Sequence, residues 1–436
     1  MKPYFSAFVL FLLPTVAGAA PADSLGVDDA VAIVLARNPS VQQASHAIDA
    51  AKARVELSRG GYYPTAAVEA SYTLLEPIAA IEFGGISFRL YPANNYDAHV
   101  GINQTLFDFS KTGSQVDLAT THVAMAEDSR ETLRRDLTFR TIETFYSILL
   151  LRKSVEVQDE QVGTLNEHLS TTQKKIASGT ATQLDALTTQ VRVAAAQTVR
   201  INLVNSLRHA DIALRRMAAF PQDTMLNLAG EFSYSIPGLN ADSLTMIALR
   251  ERVEEVTANH TIESAEAQLR MARLSDMPSL NAFAVYGVKN GLMPNLDVLR
   301  GNLAAGAELK IPILDGKRSS SMMEEAEAQL ESARARKRDV DLAVRADIQQ
   351  AVSEMRSALE KLDVSQVNID RADKAVENAR LRYDAGTVQN IDLLDATTER
   401  AQAKLTNLQA LYEVVINSYQ LRRAIGIQIV GTDAGK

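Results

Sequence analysis

Apolar residues recur in alternating steps of three and four along much of the chain, a spacing typical of coiled-coil helices. Two stretches of about 70 residues each, 109–178 and 318–385, contain no proline and end next to a glycine. At 1.5 Å per residue, each stretch predicts one helix about 100 Å long. Past each glycine a second helix is predicted to return along the first, over about 183–217 and 390–425. Each half of the chain should therefore contain a long helical hairpin.

Four other segments alternate between apolar and polar residues with a period of two, which predicts β-strands. They span 65–75, 98–107, 279–288 and 302–313, and each pair lies just before one of the long helices. Their length suits a tilted strand that crosses a membrane with one face to lipid and one to water. A strand of a soluble β-sandwich would show the same alternation, but the placement before two long helices favours the membrane interpretation.

Four strands cannot close a barrel, and an open edge in lipid leaves backbone groups unsatisfied at several kcal/mol each. Closure is therefore predicted to need several chains. Two chains would give eight strands and a lumen filled by side chains, whereas three would give twelve strands and an aqueous lumen. A channel favours three.

The two halves are an internal duplication. Leu106-Phe107-Asp108 aligns with Ile313-Leu314-Asp315, and Gly179-Thr180 aligns with Gly386-Thr387, both at a separation of 207 positions. Tyr63-Pro64 aligns with Met277-Pro278 at 214, so the halves differ by a seven-residue insertion or deletion. Two copies of a unit this long predict a pseudo-symmetric fold rather than a solenoid.

The division that follows from this alignment has five parts. A signal peptide is expected over 1–22, because Lys2 precedes the apolar run Phe5–Leu13 and the small residues Ala17-Gly18-Ala19. The other parts are a first repeat over 23–217, a mixed segment over 218–258, a second repeat over 259–425 and a tail over 426–436. One short helix is predicted to open each repeat, over about 27–58 and 260–275.

Composition excludes several classes of function. The chain has no cysteine, so disulfides, thiolate metal sites and a lipid-modified cysteine are ruled out. Its 45 basic and 53 acidic residues give a net charge of −8 and are interspersed, which argues against a nucleic-acid partner. The six histidines are scattered, and neither an HExxH nor a GxSxG motif occurs. No enzyme, cofactor or metal site is predicted, and the alternative to a channel is a coiled-coil adaptor, which would leave the strands unexplained.

One local stretch is close to a known family. Tyr383-Asp384-Ala385-Gly386-Thr387 is followed by Asp392-Leu393-Leu394-Asp395-Ala396-Thr397-Thr398, and with the duplicated architecture it resembles the TolC-like outer membrane efflux proteins. The resemblance implies a mainly α fold with a membrane β-barrel, in which a homotrimer provides twelve strands in outer-membrane lipid and twelve helices in the periplasm. It also implies a passive channel that works with a periplasmic adaptor and an inner-membrane pump of the RND or ABC type.

The resemblance assigns roles at the hairpin tips. Asp392 and Asp395 would form an acidic ring at the periplasmic aperture, and Tyr383 with Asp185 would latch it closed. The family's latching arginine is replaced by Val388, which predicts a weaker or different latch. The adaptor is expected to dock on the two tips, which comprise Gly179, Thr180, Ala181, Gly386, Thr387 and Val388.

Overall fold

The structure, a computed structural model, describes residues 24–224 and 226–427. The predicted signal peptide and most of the predicted tail lie outside the described residues. The first repeat contains α1 (Val27–Arg37), α2 (Pro39–Arg59), β1 (Thr65–Leu74), β2 (Ala80–Phe83), β3 (Ile86–Arg89), β4 (Asn94–Phe107), α3 (Lys111–Ala177) and α4 (Gln183–Met217). The second contains α5 (Ala241–Glu251), α6 (Val253–Arg273), β5 (Ser279–Lys289), β6 (Arg300–Lys310), α7 (Arg318–Asp384) and α8 (Asn390–Ile425).

The element bounds repeat the two sequence separations. Both short helices of the second repeat begin and end 214 positions after their counterparts, and α7 begins and ends 207 positions after α3. The change from 214 to 207 therefore falls between the strands, in the connection of each pair. In the first repeat this connection carries the small hairpin of β2 and β3.

The short helices differ from the prediction. The single helix expected over 27–58 is divided at Asn38, whose backbone is extended because Pro39 disfavours the helical conformation in the residue before it. The Asn38 side chain then accepts a hydrogen bond of 2.9 Å from the Ser40 amide and caps α2. The helix expected over 260–275 begins earlier, at Val253, and α5 lies inside the segment predicted as a mixed excursion.

The four long strands form one antiparallel sheet in the order β1-β4-β5-β6. Register brings the apolar rows of all four strands together: Val68 pairs with Val100, Val100 with Tyr286, and Tyr286 with Leu303. One face is thus apolar through the middle of the sheet, with Asn94 and Gln104 near its two ends, and it is largely exposed in the single chain. The other face carries most of the polar and charged side chains, including Glu69, Asp97, His99, Asn103, Asn281, Asn302, Glu308 and Lys310.

Both long helices begin with the same turn. The residues before α3 and α7 have positive φ angles, at Phe109 and Ser110 in the first repeat and at Gly316 and Lys317 in the second. The carboxylate just upstream of each turn accepts a 2.8 Å hydrogen bond from a backbone amide in the first turn of the helix; these are Asp108 with Thr112 and Asp315 with Ser319. This explains why the Asp108 and Asp315 motifs align.

The helices pack as two hairpins, α3 against α4 and α7 against α8, with α6 between α3 and α7. A core of large apolar residues, among them Ile142, Phe145, Leu214 and Val415, joins the middle of α3 to the C-terminal parts of α4 and α8. The N-terminal segment is tied to this region by a parallel bridge between Leu25 and Leu228. Among the described residues, none of the helices combines the length and apolar character required to cross a membrane.

Candidate functional site

Two tips with nearly the same backbone end the helical hairpins. Gly179 and Gly386 follow the long helices with φ angles of 78° and 73°, in the left-handed region that glycine adopts without steric cost. The next residues, Thr180 and Thr387, each donate a backbone hydrogen bond (2.8 and 2.9 Å) to the carbonyl oxygen five residues earlier. Their hydroxyl groups donate to the same oxygens at 3.1 Å. The Gly-Thr pair is therefore a helix stop, of the Schellman type, with an additional side-chain cap.

The return helices begin with an acidic cap. Asp185 and Asp392 are 207 positions apart, each at the third position of its helix. The Asp185 carboxylate accepts hydrogen bonds from the backbone amide and the hydroxyl of Thr182, at 2.8 and 2.7 Å. The Asp392 carboxylate accepts one from the Gln389 amide at 2.9 Å. A negative charge is favourable at a helix N-terminus, so both carboxylates stabilise their own tip.

Asp395 is paired across the two hairpins. Its Oδ1 lies 2.6 Å from Nη2 of Arg192 on α4, and both side chains are partly exposed. Sequence reasoning missed Arg192, although its spacing of seven from Asp185 places both on one side of α4. The pair neutralises one of the two carboxylates predicted to line the aperture, so Asp392 is the one left without a basic partner among the described residues.

Tyr383 contacts α3 through its ring. Lys175 Nζ lies 4.1 Å from the ring centroid, a cation–π distance, and the His168 ring packs edge-on with a centroid separation of 5.1 Å. Lys175 Nζ is also 3.4 Å from Oδ1 of Asp384. Within the described residues no hydrogen bond joins Tyr383 to Asp185, the partner that the resemblance implied.

A buried amide connects three helices at this site. Asn390, only 5% exposed, donates from Nδ2 to the Asp185 carbonyl oxygen at 3.1 Å and to Oγ1 of Thr189 at 3.3 Å. Its Oδ1 lies 2.6 Å from Nε2 of His168. Because that oxygen can only accept, His168 Nε2 carries the hydrogen. Neither Asn390 nor His168 was predicted as a site residue.

The tips enclose a groove of about 810 Å³ that opens to solvent. Thr180 and Ala181 of one tip and Gly386 and Val388 of the other contribute to its walls, with Lys175 at one side. Gly179 and Thr387 lie on the exposed surface beside it. Nowhere in the described part of the chain are three or more histidine or acidic side chains grouped to hold a metal ion.

Comparisons with known proteins agree on one family. The family model described as outer membrane efflux protein matches residues 31–219 and 248–427. The chain is 23% identical to the alkaline protease secretion protein AprF of Pseudomonas aeruginosa, over 97% of this chain and 88% of that protein. It is 21% identical to the outer membrane protein TolC of Vibrio cholerae, over 76% of each.

Solved structures share the fold. The outer membrane protein VceC of Vibrio cholerae matches with a TM-score of 0.78 at 16% identity, covering 93% of this chain and 97% of that one. The CmeC outer membrane channel of Campylobacter jejuni also matches with a TM-score of 0.78, at 14% identity, covering 92% and 85%.

Proposed function

We propose that three copies of this chain form an export conduit. The chain belongs to the outer membrane efflux protein family. It is therefore a subunit of a passive outer-membrane export channel and not an enzyme. The observation that carries the trimer is the sheet: it has one face that is apolar through its middle, and the outer edges of β1 and β6 have no partner strand in the described part of the chain. Three such sheets supply twelve strands, enough for a water-filled lumen. The apolar face then contacts outer-membrane lipid.

The helices extend into the periplasm, and their tips form the aperture. Contacts at the tips hold the second hairpin of each copy to its first hairpin in the closed state. They join Arg192 with Asp395 (2.6 Å), Lys175 with Asp384 (3.4 Å), Lys175 with the ring of Tyr383 (4.1 Å), and Asn390 with His168 (2.6 Å), Asp185 (3.1 Å) and Thr189 (3.3 Å). Opening the aperture separates the tips and breaks these contacts.

The family's latching arginine is absent from this chain, which has Val388 at that position. In our proposal Arg192 performs the latching role instead. Its guanidinium group comes from the first hairpin rather than the second, and its acceptor is Asp395 rather than Asp185. Tyr383 contributes to the latch through its ring, because Lys175 and His168 contact the ring face and edge. Asp185 contributes through its backbone carbonyl, which accepts from Asn390.

The test is single-channel conductance of the purified protein in planar bilayers. Partly exposed ion pairs each contribute about 0.2–1 kcal/mol. Breaking the Arg192–Asp395 pair in all three copies therefore loses about 0.6–3 kcal/mol in total, which shifts a closed-to-open equilibrium by roughly 3- to 150-fold. Arg192→Ala and Asp395→Asn should both raise conductance relative to the unsubstituted channel.

Ion selectivity separates the latch from the acidic ring. Arg192→Ala frees three carboxylates at the aperture and should raise selectivity for cations, whereas Asp395→Asn removes them and should lower it. Arg200→Ala is the matched control, because Arg200 pairs with Asp159 within the first hairpin and should leave conductance unchanged. Equal conductance in all three variants would exclude the Arg192 latch, and the absence of any pore would exclude the channel.

The groove between the tips is the proposed docking site for a periplasmic adaptor, which joins the channel to an inner-membrane pump of the RND or ABC type. Gly179, Thr180, Ala181, Gly386, Thr387 and Val388 present exposed or partly exposed surface there. Photo-crosslinkers at Ala181 and Val388 should capture the adaptor in intact cells. The same crosslinker at Gln402, an exposed position farther along α8, is the control and should capture little of it.

A second candidate function is secretion of polypeptides. It is favoured by the name of one relative, the alkaline protease secretion protein AprF, which aligns over 97% of this chain. Replacing AprF by this chain in Pseudomonas aeruginosa and measuring secreted alkaline protease tests it. Restored secretion supports polypeptide export, and failure with correct outer-membrane insertion favours small-molecule efflux.

A further inference from the structure

We propose that β6 of one copy pairs with β1 of the next in a single register, with Lys310 opposite the next copy's Glu69, and that these two side chains form an ion pair on the lumen face. The inference rests on the proposed trimer and adds the residues that join its subunits. It follows from the duplication, from the register of the sheet and from charge complementarity.

The two repeats have the same strand register. In the first repeat Thr65 pairs with Asn103, and in the second Ser279 pairs with Lys310. Adding 214 to the first member and 207 to the second converts one pair into the other. The two sequence separations therefore describe the sheet as well as the helices.

The contact between β4 and β5 joins the first repeat to the second within one chain. A closed ring of alternating repeats requires an equivalent contact from the second repeat to the first repeat of the next copy. Asn103 pairs with Phe283 in the observed contact. The counterpart of Asn103 in the second repeat, 207 positions later, is Lys310. The counterpart of Phe283 in the first repeat, 214 positions earlier, is Glu69. The equivalent contact between copies therefore places Lys310 opposite the next copy's Glu69.

The two side chains are available for this pairing. The Glu69 side chain is 71% exposed and its nearest basic group is Nε2 of His99, at 3.5 Å. Lys310 is exposed, and no ion pair joins it to an acidic side chain among the described residues. Opposite charges on directly facing cross-strand positions stabilise an antiparallel pair.

The lipid face fits the same register. It places Tyr72 against Ala307, Leu74 against Ala305 and Ala70 against Leu309, so that each pair combines a large residue with a small one. A shift of two residues would instead place Tyr72 against Leu309. A shift of one residue would turn the apolar row of one strand toward water.

A contact at the start of the long helices gives a second, independent link between neighbouring copies. Within the chain, Lys111 at the start of α3 donates to the carbonyl oxygens of Ser275 and Met277, at 3.2 and 2.6 Å. The equivalent of Lys111 is Arg318, which is also basic and is exposed. The equivalents of the two carbonyls belong to Gly61 and Tyr63, so Arg318 donates to those carbonyls of the next copy.

Disulfide crosslinking tests the register, since the chain contains no cysteine of its own. The variant with both Glu69→Cys and Lys310→Cys should form a covalent trimer under mild oxidation, seen on a non-reducing gel. Within one chain Glu69 lies level with Asn302, so Lys310 is three strand spacings away across the sheet, about 14 Å, and a further eight residues away along β6, about 27 Å. A disulfide needs Cα atoms within about 7 Å. A crosslink therefore joins different copies.

Two slipped variants are the controls, in which Lys310→Cys is combined with Ala67→Cys or with Ser71→Cys. Diagonal neighbours lie about 7–8 Å apart, so at least fivefold less covalent trimer is expected from either. More covalent trimer from a slipped variant overturns the register while the trimer itself stands. If no pair crosslinks and light scattering in detergent gives a monomer, the proposed trimer fails as well.

Charge reversal tests the ion pair separately from the register. Glu69→Lys should lower the temperature at which the trimer dissociates, and adding Lys310→Glu to the same chain should restore it. A double variant no more stable than Glu69→Lys alone would overturn the ion pair.

Discussion

Helices α4 and α8 occupy equivalent places in the two repeats and have opposite environments. Leu394 on α8 is 1% exposed, whereas Leu187, its counterpart 207 positions earlier on α4, is 58% exposed. Helix α8 packs against both α7 and α3, while α4 packs mainly against α3. The chain therefore covers α8 on two sides with its own helices and leaves one side of α4 uncovered. In the proposed trimer that side of α4 faces another copy.

Helices α3 and α7 show the complementary difference. On α3, Glu160 contacts α8 through Arg400 at 2.9 Å and Lys404 at 2.7 Å. The equivalent position on α7 is Val367, which is exposed. The contact between α3 and α8 within a chain is thus partly ionic at Glu160. The proposed contact between α7 and the next copy's α4 has the apolar Val367 at the equivalent position, and apolar contacts are typical of permanent interfaces.

The largest effect is expected from truncating the buried member of the leucine pair. Leu394 packs with Leu165, Val193 and Ala196, so Leu394→Ala leaves a cavity and should cost about 2–5 kcal/mol of unfolding free energy. Chemical denaturation followed by helical circular dichroism measures it. Leu187→Ala is the matched control and should cost less than about 1 kcal/mol in a monomer; equal losses would contradict the contrast between α4 and α8.

The exposed member of the pair tests assembly. Leu187→Arg places a charge in the proposed interface and should abolish the trimer while leaving helical content intact. Light scattering in detergent and circular dichroism measure the two properties. Gln190→Arg, at another exposed position of α4 outside the apolar row, is the control and should remain trimeric. A trimer that survives Leu187→Arg would remove α4 from the interface.

The sequence predicted those features of the fold that depend on a pattern within one continuous stretch of the chain. The long helices and the strand faces were predicted because their periods are sustained over many residues. Helix α5 was missed because it is short and lies in a mixed segment, although the separation of 214 positions from α1 would have located it. The break before α2 could have been predicted from Pro39, because a proline disfavours the helical conformation in the residue before it.

The site was predicted less well because its contacts join distant parts of the chain. The capping role of Asp185 can be read locally from Thr182, three residues before it. Arg192 and Asp395 are 203 positions apart, and His168 and Asn390 are 222 apart. Such pairs depend on how one hairpin lies against the other, which no local pattern specifies.

The two tip glycines should respond alike, because their backbones are alike. Gly179→Ala and Gly386→Ala each force an alanine into the left-handed region, which should cost about 1–2 kcal/mol. Thermal unfolding of the two variants should shift by similar amounts. Gly163→Ala, inside α3 with no atom near the added Cβ, is the control and should be neutral or stabilising. A cost at only one tip would show that the tips differ in backbone as well as in side chains.

The smallest effect on stability is expected from the ionic contact between α3 and α8, in which Glu160 pairs with Arg400 and Lys404. The hydrogen bond from Lys404, aided by the charges of Lys404 and Arg400, holds the pKa of Glu160 below its ordinary value despite partial burial. A lowered pKa means that the ionised carboxylate stabilises the folded state above the ordinary pKa, and that this stabilisation disappears as pH falls through the lowered value.

Glu160→Gln should therefore reduce stability at pH 7 by less than about 1 kcal/mol, since the groups are partly exposed. The difference from the unsubstituted protein should shrink as the pH falls below the ordinary pKa of a glutamate. Thermal unfolding midpoints across this pH range measure it. Glu156→Gln is the control, because its partner Lys153 lies on the same helix and the contact between α3 and α8 is untouched. A difference that stayed constant with pH would mean that Glu160 acts through packing, and the two interfaces would then differ in shape rather than in charge.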